Sequence, residues 1–152
     1  MGKRRVNTPP FMKDAKIIFI DTMFFIYHFE QNIKFLDFTS NVLSCVENGI
    51  VRCYTSYLTL MEILVKPMKE KRPELIEEYK MVFETFPNLN LMILDKDVAY
   101  KAAYFRSSYN LKPADSIQIA SAVVSNADLF LTNDRDLIQV KEINISYMDE
   151  TI

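Results

Sequence analysis

The sequence predicts an α/β fold in which a mostly parallel sheet is covered by helices on both faces. Short β-branched apolar runs alternate with segments of helical periodicity along the chain, the pattern of strand–helix–strand units. The runs are continuous rather than alternating, as in strands buried on both sides. The chain has 152 residues, 49% of them hydrophobic, which is enough for one domain-sized core.

Taken in order, Lys16 to Ile20 (KIIFI) reads as a buried strand that ends at Asp21. Phe24 to Phe29 is apolar and aromatic and is expected to be the first helix. From Phe38 to Glu47, Val42, Leu43 and Val46 fall at helical spacing, with Gly49 just past the end, where a left-handed residue closes a helix. Val51 to Thr55 is the second strand. Ser56 caps a helix running to about Val65, and Pro67 is expected to stop it, since proline has no N–H to donate.

Pro73 to Phe86 places Leu75, Ile76, Tyr79, Val82 and Phe83 on one face of an amphipathic helix. Leu89 to Leu94 is the third strand. Val98, Ala102, Phe105 and Tyr109 then repeat at i, i+4, i+7 and i+11, another helix. Pro113 suits a first helical turn, and Ala114 to Ser125 is apolar on most sides and so expected to be buried. Leu129 to Thr132 is a fourth strand, Arg135 to Val140 a short helix and Ile143 to Tyr147 a last strand. Residues 1–15 are expected to form a flexible N-terminal extension and 16–152 a single domain.

Composition removes several classes of function. Gly2 and Gly49 are the only glycines, so neither a GxGxxG fingerprint nor a GxxxxGK[ST] phosphate loop exists. His28 is the only histidine, which leaves histidine-rich zinc sites and Ser-His-Asp chemistry a single residue to use; beside Phe29 it reads as packing or surface. Cys45 and Cys53 form neither a CxxC pair nor a disulfide framework and fit packing roles in a reducing compartment, so the expected location is cytoplasmic. No apolar stretch reaches the roughly 18 residues that read as a membrane span, and the basic start has no apolar segment after it to make a secretory signal. The formal net charge is −2, so composition proposes no nucleic-acid partner; bound divalent cations can nevertheless invert a local field.

The chemistry therefore falls to carboxylates. Functional groups in open parallel sheets collect at the carboxyl ends of strands; Asp21 ends the first strand and Asp134 lies two residues beyond the fourth. Each alone reads as a helix cap. Glu62 is set among apolar neighbours (LTLMEILV), where the plain alternative is a place on the solvent stripe with Thr59 or a pair with Lys66 at i+4. Asp115 sits in a first helical turn, where the helix dipole favours it. Together the four would repel one another if they converged, raising some of their pKa values. Such a set of oxygen ligands is what a hard divalent cation requires, and Mg²⁺ or Mn²⁺ fits better than zinc in the absence of Cys or His ligands. The residues point to an acidic Mg/Mn-type site suited to phosphoester hydrolysis.

At these residues the sequence resembles the PIN-domain ribonucleases. KIIFIDTMFFIYHFE is similar to the family's opening, TSYLTLMEILVKP to its second acidic motif, and LKPADSIQIASAVVSNADLFLTNDRDL to its third and fourth, over roughly residues 16 to 149. The resemblance implies a three-layer α/β/α sandwich and Mg²⁺- or Mn²⁺-dependent RNA cleavage, in which metal-activated water attacks the phosphodiester and leaves a 5′-phosphate. By motif, Asp21, Glu62, Asp115 and Asp134 would be the catalytic and metal-holding set. Asp136 would contribute to a second metal position, with Thr132 in support. Stand-alone members of this length resemble VapC-like toxins, which implies a homodimer and a small antitoxin partner. Met23 departs from the Asn or Ser often found two residues after the first Asp.

A basic run, Lys66, Lys69, Lys71 and Arg72, together with Arg106, Lys112 and Arg135, supplies candidate RNA contacts, although interspersed charges are usually a solvated face. Two other readings compete. A haloacid-dehalogenase-type phosphatase needs a second Asp where Met23 stands. A catalytically silent PIN-fold module binding RNA or protein would typically have lost acidic residues, and all four are present.

Overall fold

The computed structural model describes residues 6–152. Its five strands are β1 (Ile17–Ile20), β2 (Arg52–Ser56), β3 (Leu89–Met92), β4 (Leu129–Thr132) and β5 (Asn144–Tyr147). They form one sheet in the order β3-β2-β1-β4-β5 with every pairing parallel. The helices are α1 (Thr22–Phe29), α2 (Leu36–Glu47), α3 (Tyr57–Lys69), α4 (Pro73–Thr85), α5 (Lys96–Tyr109), α6 (Pro113–Val124) and a terminal turn, α7 (Met148–Thr151). This is the expected α/β/α sandwich, with the sheet wholly rather than mostly parallel.

The period of two along a strand divides the core into two layers. Ile18, Ile20, Leu129 and Leu131 join Phe24, Phe25, Val42 and Phe83 on the face covered by α1 to α4. Phe19 and Phe130 point the other way into the layer of α5 and α6, where their rings stack at 5.3 Å. β1 is the central strand and β4 an inner neighbour, so both are covered on both faces and carry apolar groups on each.

The chain proceeds from β1 outward through β2 to β3, then crosses back to β4 and β5 on the other side. The order therefore reverses between β1 and β4, and a crevice opens beyond the carboxyl ends of those two strands.

Local chemistry fixes the element ends. Gly49 takes φ +74° just past α2, letting its N–H reach Val46 O at 3.0 Å and the Ile50 N–H reach Cys45 O at 3.0 Å. Ser56 caps α3 by accepting the Thr59 amide.

Three expectations need correction. Pro67 does not stop α3, which continues to Lys69. Its missing N–H falls in the last turn, where only one interior bond is lost. The ring is buried, and the Glu70 and Arg72 amides bond to Lys66 O and Pro67 O at 3.0 Å each. The third strand ends at Met92, the partner of Ser56 in the ladder, leaving Ile93 and Leu94 unpaired and exposed. Within the segment expected to be a flexible extension, Pro10–Met12 forms a 3-10 turn, Met12 is buried in the α1–α4 layer, and Phe11 lies 5.6 Å from Phe38; residues 1–5 lie outside the described residues. Cys45 and Cys53 are free and buried.

Candidate active site

Asp21 caps α1 at the end of β1 and is tied on three sides. Its Oδ1 accepts the Thr22 amide at 2.8 Å and the Gln118 side-chain amide at 3.2 Å, while its Oδ2 accepts the Thr132 hydroxyl at 2.7 Å. Burial raises its pKa above the ordinary carboxylate value; the three hydrogen bonds oppose this, and the Asp134 charge adds to it. Thr132, the last residue of β4 and fully buried, also accepts the Asp134 amide at 3.0 Å. One hydroxyl thus spans the ends of the two central strands. Asp134 in turn caps a short 3-10 turn by accepting the Asp136 amide at 2.9 Å.

Asp115 enters from the first turn of α6. Its carboxyl is pushed up to about 6, chiefly by burial and then by the negative charges of Asp134 and Asp21. Asp115, Asp134 and Asp136 each present an oxygen within 4.8 Å of the others. Glu62 approaches from α3, where Thr22 Oγ1 lies 3.4 Å from its Oε1; burial and the Asp21 charge raise its pKa. Glu62 is exposed, as a place on the solvent stripe requires, but Thr59 is fully buried and does not share that stripe, and Lys66 pairs with Glu30 at 2.8 Å rather than with Glu62.

Asp21, Glu62, Asp115 and Asp134 line one cleft of about 270 Å³, with Met23 and Tyr27 at its side. Asp136 opens instead onto an adjoining cavity of about 340 Å³, together with Asp115, Lys112 and Arg135. Among the described residues none of the five carboxylates has an ion-pair partner. Converging oxygens with no neutralising side chain, and with the carboxyls of Asp21, Glu62 and Asp115 raised, fit a hard divalent cation.

The basic residues separate by place. Lys112 lies beside the acidic cleft. Arg135 does too, but its guanidinium is held by Asp149 at 2.8 Å and Glu150 at 2.9 Å and covers the Tyr147 ring at 3.9 Å. Arg106 donates to Leu111 O at 3.1 Å. Lys66 and Arg72 line a separate groove of about 540 Å³ between α1, α3 and α4, which Glu62 also borders; Lys69 is in neither cavity wall. His28 bonds Thr39 at 2.9 Å, away from the cleft.

Gln118 was not singled out from the sequence. It is almost fully buried and reaches Asp21, Thr22, Thr59 and Ser56. The signal is present in ADSIQIASA: the amide falls one turn after Asp115, on the same face of a helix otherwise apolar enough to be buried. A buried amide in such a place must have partners.

Fold and cleft together define an open parallel α/β protein with a carboxylate-lined crevice at the point where strand order reverses. The PIN domain description matches residues 18–143, and the chain belongs to the PIN-domain family. No curated protein matches it significantly in sequence. Among solved structures it is similar in fold to VapBC2 from Rickettsia felis bound to a DNA fragment from their promoter (TM-score 0.70, 16% identity, 86% of this chain and 98% of that one). It is also similar to a toxin–antitoxin complex from Klebsiella pneumoniae (TM-score 0.65, 19% identity, 83% and 94% covered). DNA-bound VapBC from Salmonella typhimurium matches as well (TM-score 0.60, 20% identity, 86% and 97% covered).

Proposed function

We propose that this chain is a Mg²⁺- or Mn²⁺-dependent endoribonuclease of the toxin type. The observation that carries the reading is the convergence of Asp115, Asp134 and Asp136 within 4.8 Å of one another, beside a cleft shared by Asp21, Glu62, Asp115 and Asp134. Asp21, Asp115 and Asp134 would hold the cation, with Asp136 offering a further oxygen toward the adjoining cavity. Bound there, a divalent cation supplies Lewis acidity: it lowers the pKa of water and offsets charge building on phosphoryl oxygens.

The remaining work belongs to side chains. Thr132 fixes the Asp21 carboxylate in one orientation and ties it to the start of the Asp134 turn. Glu62, at the exposed rim and with its pKa raised, is suited to accept a proton from an attacking water and to orient it. Lys112 beside Asp115 would take an RNA phosphate next to the scissile one.

Partners follow from surfaces. The groove between α1, α3 and α4 has Ile26, Phe29 and Leu75 in its wall and Glu30, Lys66 and Arg72 around them. That mixture suits an amphipathic segment of a small antitoxin, in keeping with the assemblies named for the structural neighbours. Tyr57, Met61, Val65 and Met68 form an exposed stripe along α3 that supports a homodimer.

The test is incubation of the purified protein with single-stranded and structured RNA in Mn²⁺, with EDTA and Asp115→Asn controls. Cleavage lost in both controls is the expected result. Absence of cleavage, together with a melting temperature that Mn²⁺ does not move, would replace the nuclease with a silent binding module.

A further inference from the structure

We infer that Gln118 is a positioning residue that sets Asp21 and Glu62 relative to one another through a hydrogen-bond chain of fixed direction; the inference rests on the metal-site reading above. The chain is built from four buried groups on four elements: Ser56 ending β2, Thr59 on α3, Gln118 on α6 and Thr22 on α1.

The direction follows from counting protons. A carboxylate only accepts, so the Gln118 group facing Asp21 Oδ1 at 3.2 Å is the amide nitrogen. Its oxygen then faces Ser56, whose hydroxyl donates to it. The second amide proton goes to Thr59 Oγ1, the nearest acceptor at 2.8 Å. Thr55 spends its proton on Ile20 O at 2.8 Å. Thr59 is left to donate to Thr22 Oγ1 at 3.0 Å, and Thr22 to the one acceptor remaining, Glu62 Oε1 at 3.4 Å.

Two further contacts tighten the cluster, Thr55 Oγ1 to Thr59 Oγ1 at 3.0 Å and the Gln118 amide to Thr22 Oγ1 at 3.3 Å, and both branches end on a carboxylate. From Gln118 one branch runs directly to Asp21 and the other through Thr59 and Thr22 to Glu62. Two carboxylates from motifs 41 residues apart in sequence, at 21 and 62, are thus set by a single amide on the helix that carries Asp115. Buried polar networks satisfied in this way hold one geometry, and groups that orient metal ligands from behind typically change metal affinity by about 10–100-fold when removed.

The experiment titrates Mn²⁺ alone into the full chain and reads the free ion by electron paramagnetic resonance. Wild type, Gln118→Met, Thr59→Val and Thr59→Ser are compared, with melting temperatures in parallel. The expected result is affinity lowered by roughly tenfold in Gln118→Met, lowered less in Thr59→Val, and restored in Thr59→Ser, which keeps the hydroxyl. Should Gln118→Met not fold, the Thr59 pair decides alone, because valine keeps shape and loses only the relay. Wild-type binding with folded Gln118→Met and Thr59→Val within twofold of it would overturn the positioning role while leaving the metal site standing. No Mn²⁺ binding by wild type would overturn both.

Discussion

The hydroxyl of Thr132 donates to Asp21 at 2.7 Å and accepts the backbone amide of Asp134 at 3.0 Å, so a single side chain joins the ends of β1 and β4. Thr132→Val keeps the shape and removes both bonds. A hydrogen bond to a charged group contributes about 1.5–3 kcal/mol, and a loss of that order is expected in chemical denaturation. Thr132→Ser should return most of it. Equal stability in the valine variant would mean that water or another donor replaces the hydroxyl.

Asp21→Asn, Asp115→Asn and Asp134→Asn should each abolish RNA cleavage, with Asp115→Asn and Asp134→Asn leaving the metal-free protein at least as stable as wild type. Burial chiefly raises the carboxyls of Asp21 and Asp115, and the Asp134 charge adds to both, so removing a charge relieves desolvation and repulsion together. Cleavage assays and thermal melts in EDTA check both halves. Unfolding of Asp115→Asn or Asp134→Asn counts against the cleft as a set of repelling charges.

The pH dependence has a definite sign. Asp115 has its carboxyl raised from the ordinary 3.8 to about 6. Between those values the folded chain holds a proton that the unfolded chain has released, so stability falls as pH rises. The benefit is full below the lower value and gone above the upper one; burial shifts Asp21 in the same direction. In EDTA, the melting temperature of Asp115→Asn relative to wild type should therefore rise between about pH 4 and about pH 7 and then level off. A difference that stays constant with pH would contradict the raised carboxyl.

Lys112 and Arg135 flank the same cavity but should behave differently. Lys112 has no ion pair among the described residues, whereas Arg135 is held by Asp149 and Glu150 over the Tyr147 ring. Lys112→Ala should weaken RNA binding and reduce the log-salt slope by about 0.7, the share of one phosphate contact on a single strand. Arg135→Ala should leave that slope unchanged and lower the melting temperature slightly through lost stacking and pairing. Fluorescence anisotropy across a salt series separates the two.

The strands were legible because β1 and β4 are buried on both faces, which leaves runs such as IIFI and LFLT with no polar residue before Thr132. Asp21 and Asp134 were legible for the same reason, since each follows such a run. The end of α3 was misjudged at Pro67, because a proline in the last turn loses a single interior bond and gains burial. Gln118 was passed over because periodicity records that a helix is apolar without weighing the exception. Its partners, Ser56, Thr59 and Thr22, are short hydroxyl side chains common on any surface, and only the packing of α6 against β2 and α1 makes them neighbours.

The crevice between β1 and β4 also bears on how the sequence can drift. The two apolar layers meet the sheet along its faces, while the acidic side chains gather at one edge, so neutral replacement of an acid disturbs little packing and eases repulsion. At Asp115, neutral substitution therefore runs downhill toward a sturdier metal-free protein with the same outline. Among the described residues five acids at this edge lack an ion-pair partner; Asp21 and Asp134 serve the fold as caps, whereas Asp115 caps no helix and its charge only burdens the metal-free fold.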